Sequence, residues 1–205
     1  MFDLPPPDPA AEVVIATRGM SKGLAQTDGP QFLVRGELGL GALYVGAYAK
    51  NVTSPTSDGE AAGLIGVRTK VRGFELSASA ALKRSIAPVG KVDSTALEMI
   101  GGVSRKIGRV TPRISVTWSP NDLGSTTHTM FAEGGLGFAV DPKTSISAAV
   151  GRRERGGGPD YSAFNLGVAR TFGKLTFDAR YFDTGNSGLG SPYKGRIAGS
   201  ARLRF

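Results

Sequence analysis

The chain has 205 residues with 25 Lys and Arg against 17 Asp and Glu, one His and no Cys, giving a formal net charge of +8. Without cysteine there is no disulfide framework and no thiolate metal site, and with a single histidine no zinc site is expected. Thirty glycines and 8% aromatics suit a turn-rich all-β chain. No apolar run approaches the roughly 18 residues of a membrane helix, so only a closed barrel could carry this chain across a bilayer.

Met1-Phe2-Asp3-Leu4 leads straight into Pro5-Pro6-Pro7-Asp8-Pro9, with no basic start and no apolar core of the kind a secretory signal needs. The expectation is a mature, exported form with a Pro-rich periplasmic tail over 1–11 and a barrel over 12–205. Strand character follows at 12–19, 31–39, 42–52, 60–71, 73–84, 95–107, 110–119, 127–139, 144–154, 160–171, 174–183 and 193–205. That makes twelve strands, or ten or fourteen if a hairpin is split or merged. Tight connections stand at Gly39-Leu40-Gly41, Arg72-Gly73, Gly108-Arg109, Asp141-Pro142-Lys143 and Gly173-Lys174. Longer polar stretches alternate with them: 20–30, 53–59, 85–94, 120–126, 155–159 and 184–192. Short turns on one side and longer loops on the other are the asymmetry of outer-membrane barrels, periplasmic and extracellular respectively.

Period-two alternation supports the strands. Val110, Pro112, Ile114, Val116 and Trp118 oppose Thr111, Arg113, Ser115, Thr117 and Ser119, and Leu175, Phe177, Ala179 and Tyr181 oppose Thr176, Asp178, Arg180 and Phe182. The segment 42–49 is apolar on both faces, and Leu64 falls on a polar one. The last segment sets Tyr193, Gly195, Ile197, Gly199, Ala201, Leu203 and Phe205 against Lys194, Arg196, Ala198, Ser200, Arg202 and Arg204. Such a strand ending on a terminal Phe resembles the closing strand of a bacterial outer-membrane barrel. The resemblance implies engagement by the barrel-assembly machinery through Phe205.

Aromatics gather near strand ends: Phe74, Phe138, Phe172 and Phe205 by the short turns, and Phe32, Tyr48, Trp118, Tyr181 and Tyr193 by the long loops. They are placed like two interfacial girdles. This register leaves Arg105, Arg152 and Arg170 on the outward face, each near a strand end where a long side chain can snorkel to the headgroups. Inward it puts Arg18, Arg35, Arg68, Lys70, Lys83, Lys106, Arg113, Arg153, Arg180, Lys194, Arg196, Arg202 and Arg204. Against these stand Glu12, Glu37, Glu60, Glu75, Glu98, Glu133 and Asp178.

The excess of bases predicts a net-positive lumen that concentrates anions. The pore-lining candidates are Arg35, Arg68, Arg113, Arg180, Lys194, Arg196, Arg202 and Arg204, with Glu37, Glu75, Glu98, Glu133 and Asp178. The expected function is passive diffusion of small anionic solutes, and the alternative is a closed structural or adhesive barrel with a salt-bridged lumen.

Enzymatic readings find little. His128 lacks the histidine, serine and asparagine constellation of outer-membrane phospholipases. Gly151-Arg152-Arg153-Glu154-Arg155-Gly156-Gly157-Gly158 lacks the Gly-Lys-Ser/Thr ending of a phosphate-binding loop and reads as a loop facing lipopolysaccharide. The bases follow strand register without stacking aromatics, which argues against nucleic acid. Expected partners are therefore outer-membrane lipid and lipopolysaccharide and small anionic solutes. No enzyme activity, cofactor or metal is expected, and the expected location is the Gram-negative outer membrane.

Arg18-Gly19-Met20-Ser21-Lys22-Gly23 with Gln26-Thr27-Asp28, followed by Tyr44-Val45-Gly46-Ala47-Tyr48-Ala49-Lys50-Asn51-Val52, resembles the opening of the TorF-type family of outer-membrane porins. The resemblance covers about the first fifty residues and implies an outer-membrane barrel with a pore. It supplies no catalytic residue.

Overall fold

A computed structural model describes residues 6–90, 92–124 and 127–205. Twelve antiparallel strands close into one barrel: β1 (Asp8–Ala16), β4 (Gln31–Leu40), β5 (Leu43–Ser54), β6 (Ser57–Val71), β7 (Phe74–Ile86), β8 (Thr95–Arg105), β9 (Val110–Asn121), β10 (Thr129–Ala139), β11 (Thr144–Arg155), β12 (Tyr161–Phe172), β13 (Leu175–Asp183) and β14 (Arg196–Arg204). The first loop carries a small separate hairpin, β2 (Met20–Ser21) and β3 (Leu24–Ala25). Neighbours in sequence pair throughout, and β1 closes the ring between β4 and β14. Among the described residues closure leaves the barrel wall without an unpaired edge, as a lipid environment requires.

The tight connections lie where Gly and turn residues expect them. Val71 pairs Phe74 across Arg72 and Gly73, whose φ values of 50° and 81° make a two-residue turn of the twist that suits a hairpin. Three expected spans shift. The first strand starts at Asp8, because residues 8–11 continue the ladder against β4 from Gly39 to Gly36. Residues 1–5 of the expected tail lie outside the described residues. The expected long loop 53–59 is a two-residue link at Pro55-Thr56, since β5 and β6 stay paired to Ser54 and Ser57 after a register shift. The last strand starts at Arg196, because Ser191–Tyr193 forms a 3-10 turn that breaks the alternation.

The register divides the barrel wall cleanly. Ile65, Leu82, Ile114, Leu136, Val150 and Leu166 are exposed apolar side chains on the outside, and their in-between neighbours face the lumen. The outer band has aromatic ends. Phe74, Phe138, Phe172 and Phe205 stand at the short-turn end, and Phe32, Trp118 and Tyr181 at the other. Tyr48 and Tyr193, expected in the long-loop girdle, instead point inward: Tyr48 bonds Glu60 and Tyr193 is buried. The outward arginines lean onto the band's rims, Arg105 over the Phe74 ring at 4.8 Å and Arg170 over Phe172 at 5.3 Å. Arg152 reaches Asp160 at 3.5 Å. Arg84 also lies on the outer wall, near the long-loop end of β7.

Val150 sits halfway along β11 and is 62% exposed. Val150→Arg is expected to destabilise the barrel by roughly 2–4 kcal/mol in vesicles, the cost of a cation at the bilayer midplane. Urea titration of the reconstituted protein reads this directly, and an unchanged midpoint would mean that this face does not meet lipid.

Candidate functional site: the charged lumen and its mouth

Along the lumen two acids are each shared between two arginines and three pair with a single base. Glu37 takes both Arg35 at 3.2 Å and Arg68 at 2.6 Å, and Glu12 takes Arg202 and Arg204, each at 3.7 Å. Arg113 has Glu133 at 3.4 Å, Arg180 has Asp178 at 3.1 Å, and Lys70 has Glu75 at 3.4 Å. Arg68 stacks 3.9 Å from the centre of the Tyr44 ring. Gly66 makes that possible, because a Cβ there would lie 2.4 Å from the Tyr44 ring.

The two remaining basic candidates lie at the long-loop end. Arg196 donates to the backbone oxygen and hydroxyl of Ser191. Lys194 is exposed in the link between the 3-10 turn and β14. At the short-turn end, Glu12, Arg35, Glu37, Arg68, Arg204 and Phe205 line a cavity of about 350 Å³.

Glu98 belongs to a denser group at the long-loop end. It pairs with Lys22 of the hairpin and with Lys83 at 3.4 Å. Lys83 also meets Glu60 and Asp122, each at 3.9 Å. Lys50 closes on Glu60 at 3.3 Å, and Arg153 on Asp122 at 2.5 Å. All seven side chains are 7–13% exposed. They form a lattice in which each charge is held by its neighbours. Burial pushes the Lys22 ammonium below the ordinary lysine value, and Glu98 opposes that push.

The hairpin is what brings Lys22 there. Its turn, Lys22-Gly23, has φ values of 51° and 84°. A Cβ on Gly23 would sit 2.4 Å from that of Ala163, so only glycine fits the tip against β12. Tyr161 donates to the Lys22 carbonyl at 2.9 Å, and its ring packs edge-on to Tyr193 at 5.3 Å. On the other side Lys50 donates to the Gln26 side chain at 2.8 Å. The first loop thus reaches β5, β8 and β12 and lies across the mouth.

Arg18 anchors its base by donating to the carbonyls of Thr27 and Asp28, and the Gly19 N–H donates to the buried Thr27 hydroxyl at 2.7 Å. Residues on the hairpin's inner side, Arg18 and Met20, line a lumen cavity of about 460 Å³, while Ser21, Leu24, Ala25 and Gln26 line a second of about 310 Å³ at the mouth. The hairpin is the partition between them.

Sequence reasoning missed Lys22, Lys50 and Asp122. Lys50 has a usable signal, since it shares parity with Tyr44 and Tyr48 and pairs Glu60. Lys22 and Asp122 sit in loops, where periodicity says nothing. The lone histidine, His128, accepts the Gly156 N–H on its backbone oxygen at 2.9 Å. Among the described residues, no three His, Cys, Asp or Glu groups gather as a metal site.

No protein-family model and no curated protein matches the chain. Among solved structures it is similar to the KdgM porin in complex with disordered oligogalacturonate, with a TM-score of 0.68 at 6% identity over 96% of this chain and 99% of that one. The NanC porin matches at 0.59 and 8% identity, over 95% and 97% of the two chains. An outer membrane channel from Pseudomonas putida F1 matches at 0.55 and 13% identity, over 96% and 94%. Likeness at these identities carries the fold, a twelve-stranded antiparallel barrel.

Proposed function

We propose that the chain forms a channel in the outer membrane of a Gram-negative bacterium for passive diffusion of small anionic solutes, narrowed at its long-loop mouth by the β2–β3 hairpin. The observation that carries this reading is the sharing of acids. Glu12 and Glu37 each neutralise one of two arginines, so the short-turn entrance keeps a surplus of positive charge. A narrow passage walled by low-dielectric protein focuses that surplus and concentrates anions. The apolar outer band with aromatic ends supports a membrane setting, and lipopolysaccharide is the partner for the arginines of the long-loop rim. The Phe205 strand is the segment for the assembly machinery to engage. Membership of the TorF-type family rests on the Arg18 to Asp28 and Tyr44 to Val52 segments. Both segments build the hairpin and its β5 anchor.

Reversal potentials across a planar bilayer under a salt gradient test the selectivity. The wild type is expected to favour chloride over potassium, and the Arg202→Glu, Arg204→Glu variant is expected to shift toward cations. A cation-selective wild type, or a variant with unchanged selectivity, would remove the anion reading.

The buried lattice and the hairpin across the mouth favour a second reading, a closed barrel with a structural or adhesive role. Absence of any conductance, with or without the hairpin, would establish it.

A further inference from the structure

Four arginines converge beneath the hairpin. The cavity of about 460 Å³ there is lined by Arg18, Arg113, Arg180 and Arg202 with one carboxylate, Asp178. Its volume lies in the range of small-molecule sites, roughly 300–1,000 Å³. Arg113 comes from β9, which stands opposite β1 in the ring, Arg202 comes from β14 beside β1, and Arg180 comes from β13 on the far side of β14. The guanidiniums therefore approach one space from facing walls.

The neighbouring strands are shaped to admit them. A Cβ on Gly167 would lie 2.8 Å from the Arg180 guanidinium carbon, and one on Gly135 would lie 3.0 Å from the Arg113 Nε. Arg180 is held in place by Asn165 at 2.6 Å, Ser147 at 2.9 Å and Asp178 at 3.1 Å. Arg113 and Arg202 are held more loosely. Glu133 and Glu12 stand 3.4 and 3.7 Å away, beyond the length of about 2.8 Å of a charge-assisted hydrogen bond. Neither of those carboxylates lines the cavity, and among the described residues the Arg202 Nε has no hydrogen-bond partner.

From this convergence of four arginines on one cavity, we infer a discrete binding site for small organic anions carrying two or more acidic groups, the carboxylate or phosphate oxygens pairing with Arg113, Arg180 and Arg202. Guanidinium forks match such oxygens, and four arginines lining the cavity beside one lining carboxylate, with Asp28, Glu133 and Glu12 as long partners at 3.9, 3.4 and 3.7 Å outside the lining, favour multivalent ligands over monovalent ones. The inference builds on the reading of the lumen as a solute path, and names where in that path the solute rests.

Calorimetry of the detergent-solubilised barrel with citrate, inorganic phosphate and acetate at low ionic strength tests it. Citrate is expected to bind more tightly than acetate. Arg113→Gln and Arg180→Gln are each expected to weaken citrate by about ten-fold or more, and Arg84→Gln on the outer wall to leave it unchanged. Gly167→Val, which displaces Arg180 without removing a charge, is expected to weaken it too, with circular dichroism confirming a folded barrel in every variant. Phosphate binding comparable to citrate would assign the site to compact phosphate groups, and weaker phosphate binding would assign it to polycarboxylates; either supports the site. Equal citrate affinity in wild type and the arginine variants, or citrate no tighter than acetate, would overturn it. Anion-selective conductance without citrate binding would remove the site and keep the channel. Citrate binding without conductance would do the reverse.

Discussion

Replacing Met20–Ala25 with a short Gly-Ser link is expected to raise the unitary conductance several-fold in planar bilayers. The hairpin separates the lumen cavity from the cavity at the mouth, and its tip residue Lys22 touches β8 and β12. The narrowest stretch of a water-filled path sets its resistance, so removing the partition should join the two spaces. Barrel pairing does not depend on these six residues, because β1 and β4 pair with each other from Asp8 to Ala16. Lys22→Met is expected to give an intermediate result, since it frees the tip from Glu98 while the Tyr161 bond to the Lys22 carbonyl persists. Unchanged conductance in the replaced variant, with a folded barrel by circular dichroism, would place the main barrier elsewhere in the lumen.

The wall of this barrel was legible in the sequence and its mouth was not, for a physical reason. Strand faces alternate between lipid and lumen, so every inward charge on a clean strand such as β9 or β13 announces itself by parity. The pairs Arg113–Glu133 and Asp178–Arg180 are readable in that way. The small apolar residues on both faces of 42–49 drew attention away from Lys50 in β5, although its parity matches that of Tyr44 and Tyr48, and parity does not exist in loops, which hid Lys22 and Asp122. It also misleads where local turn chemistry ends the strand early. Pro192 and the 3-10 turn at Ser191–Tyr193 rotate Tyr193 from the expected lipid face into the mouth. The segments that resemble the TorF-type family build the first loop and its anchor on β5. Arg18, Gly19 and Thr27 serve to fold the first loop, and Lys50 and Asn51 hold it.

Glu98→Ala is expected to cost about 3–5 kcal/mol in urea unfolding, because it leaves two buried cations short of a counter-charge. Lys22 loses its only carboxylate among the described residues, and Lys83 keeps Glu60 and Asp122 at 3.9 Å each. Lys22 is therefore where the cost concentrates, and the hairpin tip is expected to leave the mouth. A double variant separates this account from simple loss of packing. Lys22→Met with Glu98→Leu removes both charges and fills their volume, and a buried pair replaced by apolar groups is often neutral. The double variant is expected to recover most of the stability lost by Glu98→Ala, with Lys83 still held by its other two acids. Recovery in the double variant would identify the unpaired Lys22 charge as the source of the loss. A double variant as unstable as Glu98→Ala would mean instead that Glu98 stabilises the mouth through Lys83 and the wall, with the hairpin a passenger on the lattice.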